Sequence, residues 1–215
     1  AIAIAIMLNE ITGKKKKQVY QTIILIPYLI SMIIVSYLAF AFLSSSNGFF
    51  NNSILKGLGL PAVDWYNTPK YWPFILGFIY LWKSLGYSMI LYYATICGID
   101  YALYEAAEID GASRWQKITH VTLPSLKSTI IILVLMSLSG IFRSDFGLFY
   151  QVTQNSGPLI KVTQTIDTYV YRGLMQTNNI GMSSAAGVYQ SVVGFILVMA
   201  GNGIFRKVDK DSALF

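Results

Sequence analysis

Tyr104 to Pro124 reads YEAAEIDGASRWQKITHVTLP, a polar, small-residue-rich stretch set between two long apolar runs. Glu105, Ala106, Ala107, Glu108 and Ile109 suit a short helix. Asp110-Gly111 is a turn signal, because glycine accepts a positive φ at little cost. Ala112 to His120 suits a second short helix, and Leu123-Pro124 marks the break before the next apolar run. The spacing predicts a helix–turn–helix lying on one side of a membrane, with its Ala and Gly face open to close approach by a partner. The alternative is a solvated amphipathic loop, which explains the charges but not the Ala-Ala and Asp-Gly-Ala spacing.

Composition supplies the membrane. Of 215 residues, 54% are hydrophobic and only 12% charged, against about 25% charged in soluble domains. An integral membrane protein follows. The net charge of +6 reads as a positive-inside bias rather than nucleic-acid binding, since the basic residues cluster in short loops without interleaved aromatics. Cys97 is the sole cysteine, so no intrachain disulfide forms, and its apolar surroundings predict a small buried hydrophobe. His120 is the sole histidine and offers neither a metal cluster nor a triad; it reads as a loop residue near a helix end.

The expected fold is all-α: a single polytopic transmembrane bundle over residues 1–215. Ala1 to Leu8 is apolar, but eight helical residues cover about 12 Å of a bilayer core about 30 Å thick. The span over 1–11 is therefore expected to be partial, the natural chain extending further N-terminally. Further spans are expected over 19–43, 72–99, 125–146 and 185–205. Pro27 should kink the first of these or fix its first turns. The loops at 44–71 and 147–184 are expected outside and the loop at 100–124 in the cytoplasm. Residues 162–172 alternate like a strand but also fit helical spacing, and a short helix is expected there. Small residues Ala185, Ala186, Gly187, Gly194 and Gly201 predict close helix packing in the last span.

Counting basic residues sets the orientation. Lys14, Lys15, Lys16, Lys17, Arg114, Lys117, Lys127, Arg206, Lys207 and Lys210 fall on the side of the Tyr104–Pro124 loop, and Lys56, Lys70, Lys161 and Arg172 on the other. Ten against four places that loop inside.

Charges within the spans are rarer. Lys83 stands near the middle of its run with Trp82 and Tyr87 beside it. A mid-membrane cation costs about 2.5–3.5 kcal/mol, so it should face protein or water. Two readings stay open: a hydrated substrate pathway, or a structural lysine held by a carboxylate or carbonyl or snorkelling to the surface. Arg143 and Asp145 either pair with each other or line the pathway's outer mouth. No paired acid–base or nucleophile constellation is present, which argues against an intramembrane enzyme.

Glu105-Ala106-Ala107, then Asp110-Gly111-Ala112, then Leu123-Pro124 resembles the EAA loop of bacterial ABC-importer permeases, position by position. Leu8-Asn9-Glu10, Pro27 to Ser31, Gly57-Leu58-Gly59, Gly86-Tyr87 and Ile99-Asp100 resemble the carbohydrate branch of that family. Asp167 to Leu174, Ala186 to Gly194 and the ending Leu214-Phe215 are similar to its MalF/LplB-like oligosaccharide permeases. Ser156-Gly157-Pro158 departs from the Gly-Gly-Pro of many sugar permeases.

The resemblance implies a multi-pass subunit of the bacterial cell membrane that translocates an oligosaccharide. An extracytoplasmic solute-binding lipoprotein would deliver the sugar, and a second homologous permease would complete the path. Two cytoplasmic ATPase subunits would power import, coupled to this chain through Glu105, Ala106, Ala107, Asp110, Gly111, Ala112, Leu123 and Pro124. Trp82, Lys83, Tyr87, Arg143 and Asp145 are the expected pathway residues. No cofactor is expected in this chain; it has no phosphate-cradling loop, so ATP and Mg belong to the partner ATPase. The alternative within the class is import of an amino acid, phosphonate or other non-sugar solute.

Overall fold

The computed structural model describes residues 1–208, and no strand forms among them. Lys210 and the Leu214-Phe215 ending lie outside the described residues. In chain order the helices are α1 (Ile2–Glu10), α2 (Lys14–Leu29), α3 (Met32–Leu43), α4 (Trp72–Cys97), α5 (Tyr101–Ile109) and α6 (Arg114–Lys117). After them come α7 (Leu123–Ser125), α8 (Lys127–Ser139), α9 (Ile160–Thr163), α10 (Ile166–Thr177) and α11 (Ile180–Val208). α4 has 26 residues and α11 has 29; at 1.5 Å per residue both exceed the roughly 30 Å of a bilayer core. Two helices pass as membrane spans by length and apolarity among the described residues, or up to four if each broken pair is one span.

The chain divides into two compact units. The first comprises Ala1–Tyr28, Lys83–Ser139 and the chain from Phe195 onward. Its core is Ala5, Leu8, Met89, Tyr92, Ile96 and Leu126, which packs α1 against α4 and the start of α8. The second comprises Leu29–Trp82 and Gly140–Gly194. Its core joins Val35 and Ala39 of α3 to Trp72, Leu76 and Ile79 of α4, with Leu148, Val152 and Leu159. The Trp72 indole, fully buried, donates from Nε1 to the Trp65 carbonyl at 2.7 Å, as a buried polar atom requires. Phe74 and Phe78 of the same helix are 80% and 69% exposed, a surface suited to lipid or protein neighbours rather than water.

Several boundaries differ from expectation. The run 19–43 is interrupted at Ile30–Ser31 rather than continuous. Pro27 sits inside α2, and the helix ends after it at Leu29. Ser31 restarts the helix by accepting the Ile34 N–H at 3.4 Å, the role of an N-cap. Lys14 to Lys17 form the first turn of α2 rather than a loop. The run 125–146 is helical only to Ser139, and α11 starts at Ile180, inside the expected loop 147–184. Helix wins over strand in 166–177 because Thr165 and Thr168 form a reciprocal capping box.

Candidate functional site

The Tyr104–Pro124 stretch lies wholly in the first unit. α5 begins at Tyr101, earlier than expected, because Asp100 caps it by accepting the Ala102 N–H at 3.0 Å. Its C-terminus explains the Asp-Gly-Ala spacing. Gly111 takes φ +75°; its N–H donates to the Glu108 carbonyl at 3.0 Å, and the Ala112 N–H donates to Ala107 at 2.9 Å. This is a Schellman closure, in which a left-handed residue satisfies the last carbonyls of a helix. Ser113 then opens α6 with a capping box to Gln116.

Two contacts fold α6 back along α5. Lys117 Nζ meets Glu108 Oε1 at 2.6 Å, and the hydroxyls of Tyr104 and Thr122 lie 2.9 Å apart. Glu105, Ala106, Asp110 and Gly111 are exposed, while Ala107 and Ala112 are half-buried. Ile109 and Trp115 are 87% and 71% exposed, so among the described residues the hairpin presents large apolar side chains largely uncovered. Leu123-Pro124 does not end the helical path. Residues Ile118–Thr122 make a π turn that leads into α7, and the wider turn tolerates a residue without an N–H. The bend, 54°, follows Pro124 at Leu126.

Under the hairpin lies a polar cavity of ≈ 960 Å³ whose lining includes Glu10, Cys97, Tyr104, Glu108, Arg114 and Lys117. Cys97 is exposed there, not buried as expected: the apolar run around it says nothing of which helix face it takes. His120 is exposed in the π turn, its Nδ1 3.1 Å from the Gln116 carbonyl.

Of the expected pathway residues, Lys83 and Tyr87 come together in the first unit. Lys83 Nζ donates to the carbonyls of Tyr28 at 3.0 Å and Pro27 at 3.3 Å, and the Tyr28 and Tyr87 rings stack at 4.9 Å. The lysine thus serves the carbonyls that the end of α2 leaves orphaned, which agrees with the structural reading of this cation. Between them, Gly86 approaches α2 so closely that a Cβ would stand 2.3 Å from the Ile24 carbonyl oxygen. Trp82 belongs to the second unit, where it lines an apolar groove of ≈ 510 Å³ with Phe74 and Phe78. Arg143 and Asp145 do not pair; Asp145 Oδ1 instead accepts the Leu148 N–H at 3.1 Å.

Sequence reading missed a polar knot in the second unit. The Asp167 carboxylate accepts from the Ser144 hydroxyl at 2.8 Å, from the Ser144 N–H, and from the Gln190 amide at 3.2 Å. Gln190 also donates to the Phe142 carbonyl at 2.7 Å. Burial pushes the Asp167 carboxyl up, but the Ser144 and Gln190 hydrogen bonds and the Arg143 charge outweigh it and hold the group below its ordinary value. Nearby in the same unit, Arg172 donates from Nε to Asn155 Oδ1 at 2.8 Å and lies 5.8 Å from the centre of the Tyr150 ring.

Comparison with known proteins gives the family. Residues 1–210 match the model described as binding-protein-dependent transport system inner membrane component. The chain is 32% identical to Protein LplB of Bacillus subtilis, over 98% of this chain and 65% of that one. It is 34% identical to the polygalacturonan/rhamnogalacturonan transport system permease protein YteP of the same organism, over 98% and 64%. The chain thus spans just under two thirds of the length of these relatives. Among solved structures, it superposes with TM-score 0.90 and 35% identity on a bacterial ABC transporter involved in the import of the acidic polysaccharide alginate, covering 97% of this chain and 72% of that one. A second structure of such a transporter, in complex with an alginate pentasaccharide-bound periplasmic protein, matches with TM-score 0.89.

Proposed function

This chain belongs to the binding-protein-dependent transport system inner membrane component family, and from that premise we propose that it is the permease subunit of an ATP-driven importer of oligosaccharides. A solute-binding protein delivers the sugar from outside, a second permease completes the translocation path, and two ATPases power it from the cytoplasm. The carrying observation is the α5–α6 hairpin, closed by Gly111 at φ +75° and presenting Ile109 and Trp115 to a partner. A surface of that kind suits docking: it is short, internally stapled and carries an exposed Trp and Ile as anchors. Closing of the ATPases on ATP would move it and exchange inward for outward access.

The excess of lysine and arginine on the hairpin's side supports a cytoplasmic position. Relatives named for polygalacturonan transport and alginate import support a sugar over an amino acid or phosphonate. Glu105→Ala and Gly111→Pro test the proposal. Both variants should insert normally and lose ATP-driven oligosaccharide uptake. Full uptake in either would refute docking at this loop.

A further inference from the structure

The Nη1 and Nη2 atoms of Arg172 are buried and meet no acceptor, and neither does the buried Gln151 Oε1 meet a donor. A guanidinium stripped of water without a counter-charge is costly, so such a group marks either a defect or a place for a ligand. The second unit supplies no counter-charge. Its carboxylates are Asp64, Asp145 and Asp167. Asp64 accepts from the Asn67 amide at 2.7 Å, Asp145 caps Leu148, and Asp167 is engaged by Ser144 and Gln190. Among the described residues none of them forms an ion pair with Arg172.

The guanidinium is nonetheless held in place. Its Nε is fixed on Asn155 Oδ1 at 2.8 Å, and Asn155 and its neighbour Gln154 occupy the left-handed region at φ 49° and 53°. Their N–H groups close the end of the preceding turn onto the Gln151 and Tyr150 carbonyls at 2.9 and 3.0 Å, which fixes Asn155 under the arginine. Tyr150 and Gln151 lie in the π turn Gly147–Val152, a frequent mark of functional sites. The Tyr150 and Tyr171 rings meet edge to face at 5.0 Å beside the arginine.

We propose that Arg172, Gln151 and the Tyr150–Tyr171 pair form a carboxylate-binding subsite for a uronate unit of the transported oligosaccharide. This deepens, and rests on, the oligosaccharide reading above. The two unmatched N–H groups fit a carboxylate as a fork. The unmatched Gln151 oxygen takes a sugar hydroxyl, and the rings flank the pyranose. A sugar acid carries the carboxylate for the arginine and the hydroxyl donors for Gln151 on a single ring. Because the nitrogens are covered in this conformation, the subsite loads only in a step that parts the rings from the arginine.

The test uses the intact importer in liposomes, with its second permease, ATPases and binding protein. Uptake is measured for trimers of galacturonate and mannuronate, for their methyl esters, and for neutral maltotriose. Sugar loading of the binding protein is measured separately and normalised out. The wild type should carry a uronate trimer at least tenfold faster than its ester. Arg172→Gln should lower uronate uptake at least tenfold and leave ester uptake within twofold. Arg172→Lys, which keeps the charge but not the fork, should raise the KM for the acid alone. Equal transport of acid and ester by the wild type overturns the subsite without need of a variant, as does an Arg172→Gln loss shared equally by both. Uptake of maltotriose with no uronate uptake overturns the subsite and leaves the oligosaccharide reading standing. Uptake of none of these sugars overturns that reading and the subsite with it.

Discussion

Lys83 Nζ stands 3.0 Å from the carbonyl oxygen of Tyr28, 55 residues earlier in the chain. A charge in the middle of a long apolar helix is thereby spent on the open end of another helix. Replacing it with methionine keeps the stem and removes the donors. Lys83→Met should destabilise the protein by about 0.5–1.5 kcal/mol, the usual net contribution of a hydrogen bond. The check is thermal unfolding in detergent, with Lys83→Arg expected between the two. A lysine that served only a substrate path would change uptake and leave the unfolding midpoint where it was.

Gly86 and Gly111 resist substitution for opposite reasons. At Gly86 a Cβ would sit 2.3 Å from the Ile24 oxygen, a backbone atom that cannot step aside. Gly86→Ala should therefore force α4 off α2 and cut the yield of folded protein sharply, an overpacking cost of about 1–3 kcal/mol or more. At Gly111 nothing lies within 4 Å of the Cβ position, but φ is +75°. Gly111→Ala should cost about 1 kcal/mol of backbone strain, leave yield nearly normal, and reduce coupling. Yield by size-exclusion chromatography and ATP-driven uptake separate the two.

Asp167 makes stability depend on pH in one direction. Its folded pKa lies below the ordinary carboxylate value, so the folded state holds its proton less tightly than the unfolded state does. The contribution is complete above the unfolded value, about 4, and fades as pH falls through the lower folded value. Asp167→Asn should be less stable than wild type at pH 7, and the gap should close on acidification below about pH 4. A gap that stayed constant from neutral to acid pH would contradict this assignment.

Cys97 offers a reporter that requires no engineering. It is exposed and lines the cavity under the α5–α6 hairpin. A membrane-impermeant maleimide should label it in inverted vesicles and not in intact cells. Ser113→Cys, at the exposed start of α6, should label with the same sidedness. Labelling of either from outside the cell would reverse the proposed orientation.

The hairpin was legible because its determinants are local. A glycine after Asp110 reports a left-handed residue, a reading that needs only adjacent residues, whereas the Ser113–Gln116 capping box that starts α6 is seen in the structure. Pro27 signals a kink in the run 19–43, but the place of the break, Ile30–Ser31, does not follow from it. The Asp167–Gln190 contact joins residues 23 apart and likewise leaves no pattern in either segment. For Cys97, composition fixed the apolar run but not the face of the helix. Lys83 stands out in the sequence as a charge inside an apolar run, while the oxygens it faces are visible only in the folded chain. In the sequence Arg172 is one of four cations on the outer side; burial of its terminal nitrogens and the lack of a counter-charge are properties of the folded chain.

With only hydrogen at Gly86, the main chains of α4 and α2 touch without a side-chain cushion. Such a junction has no slack to absorb a displacement. A stroke delivered at the hairpin, one short turn beyond Cys97, should therefore travel up α4 and carry the last turns of α2 with it as one lever arm.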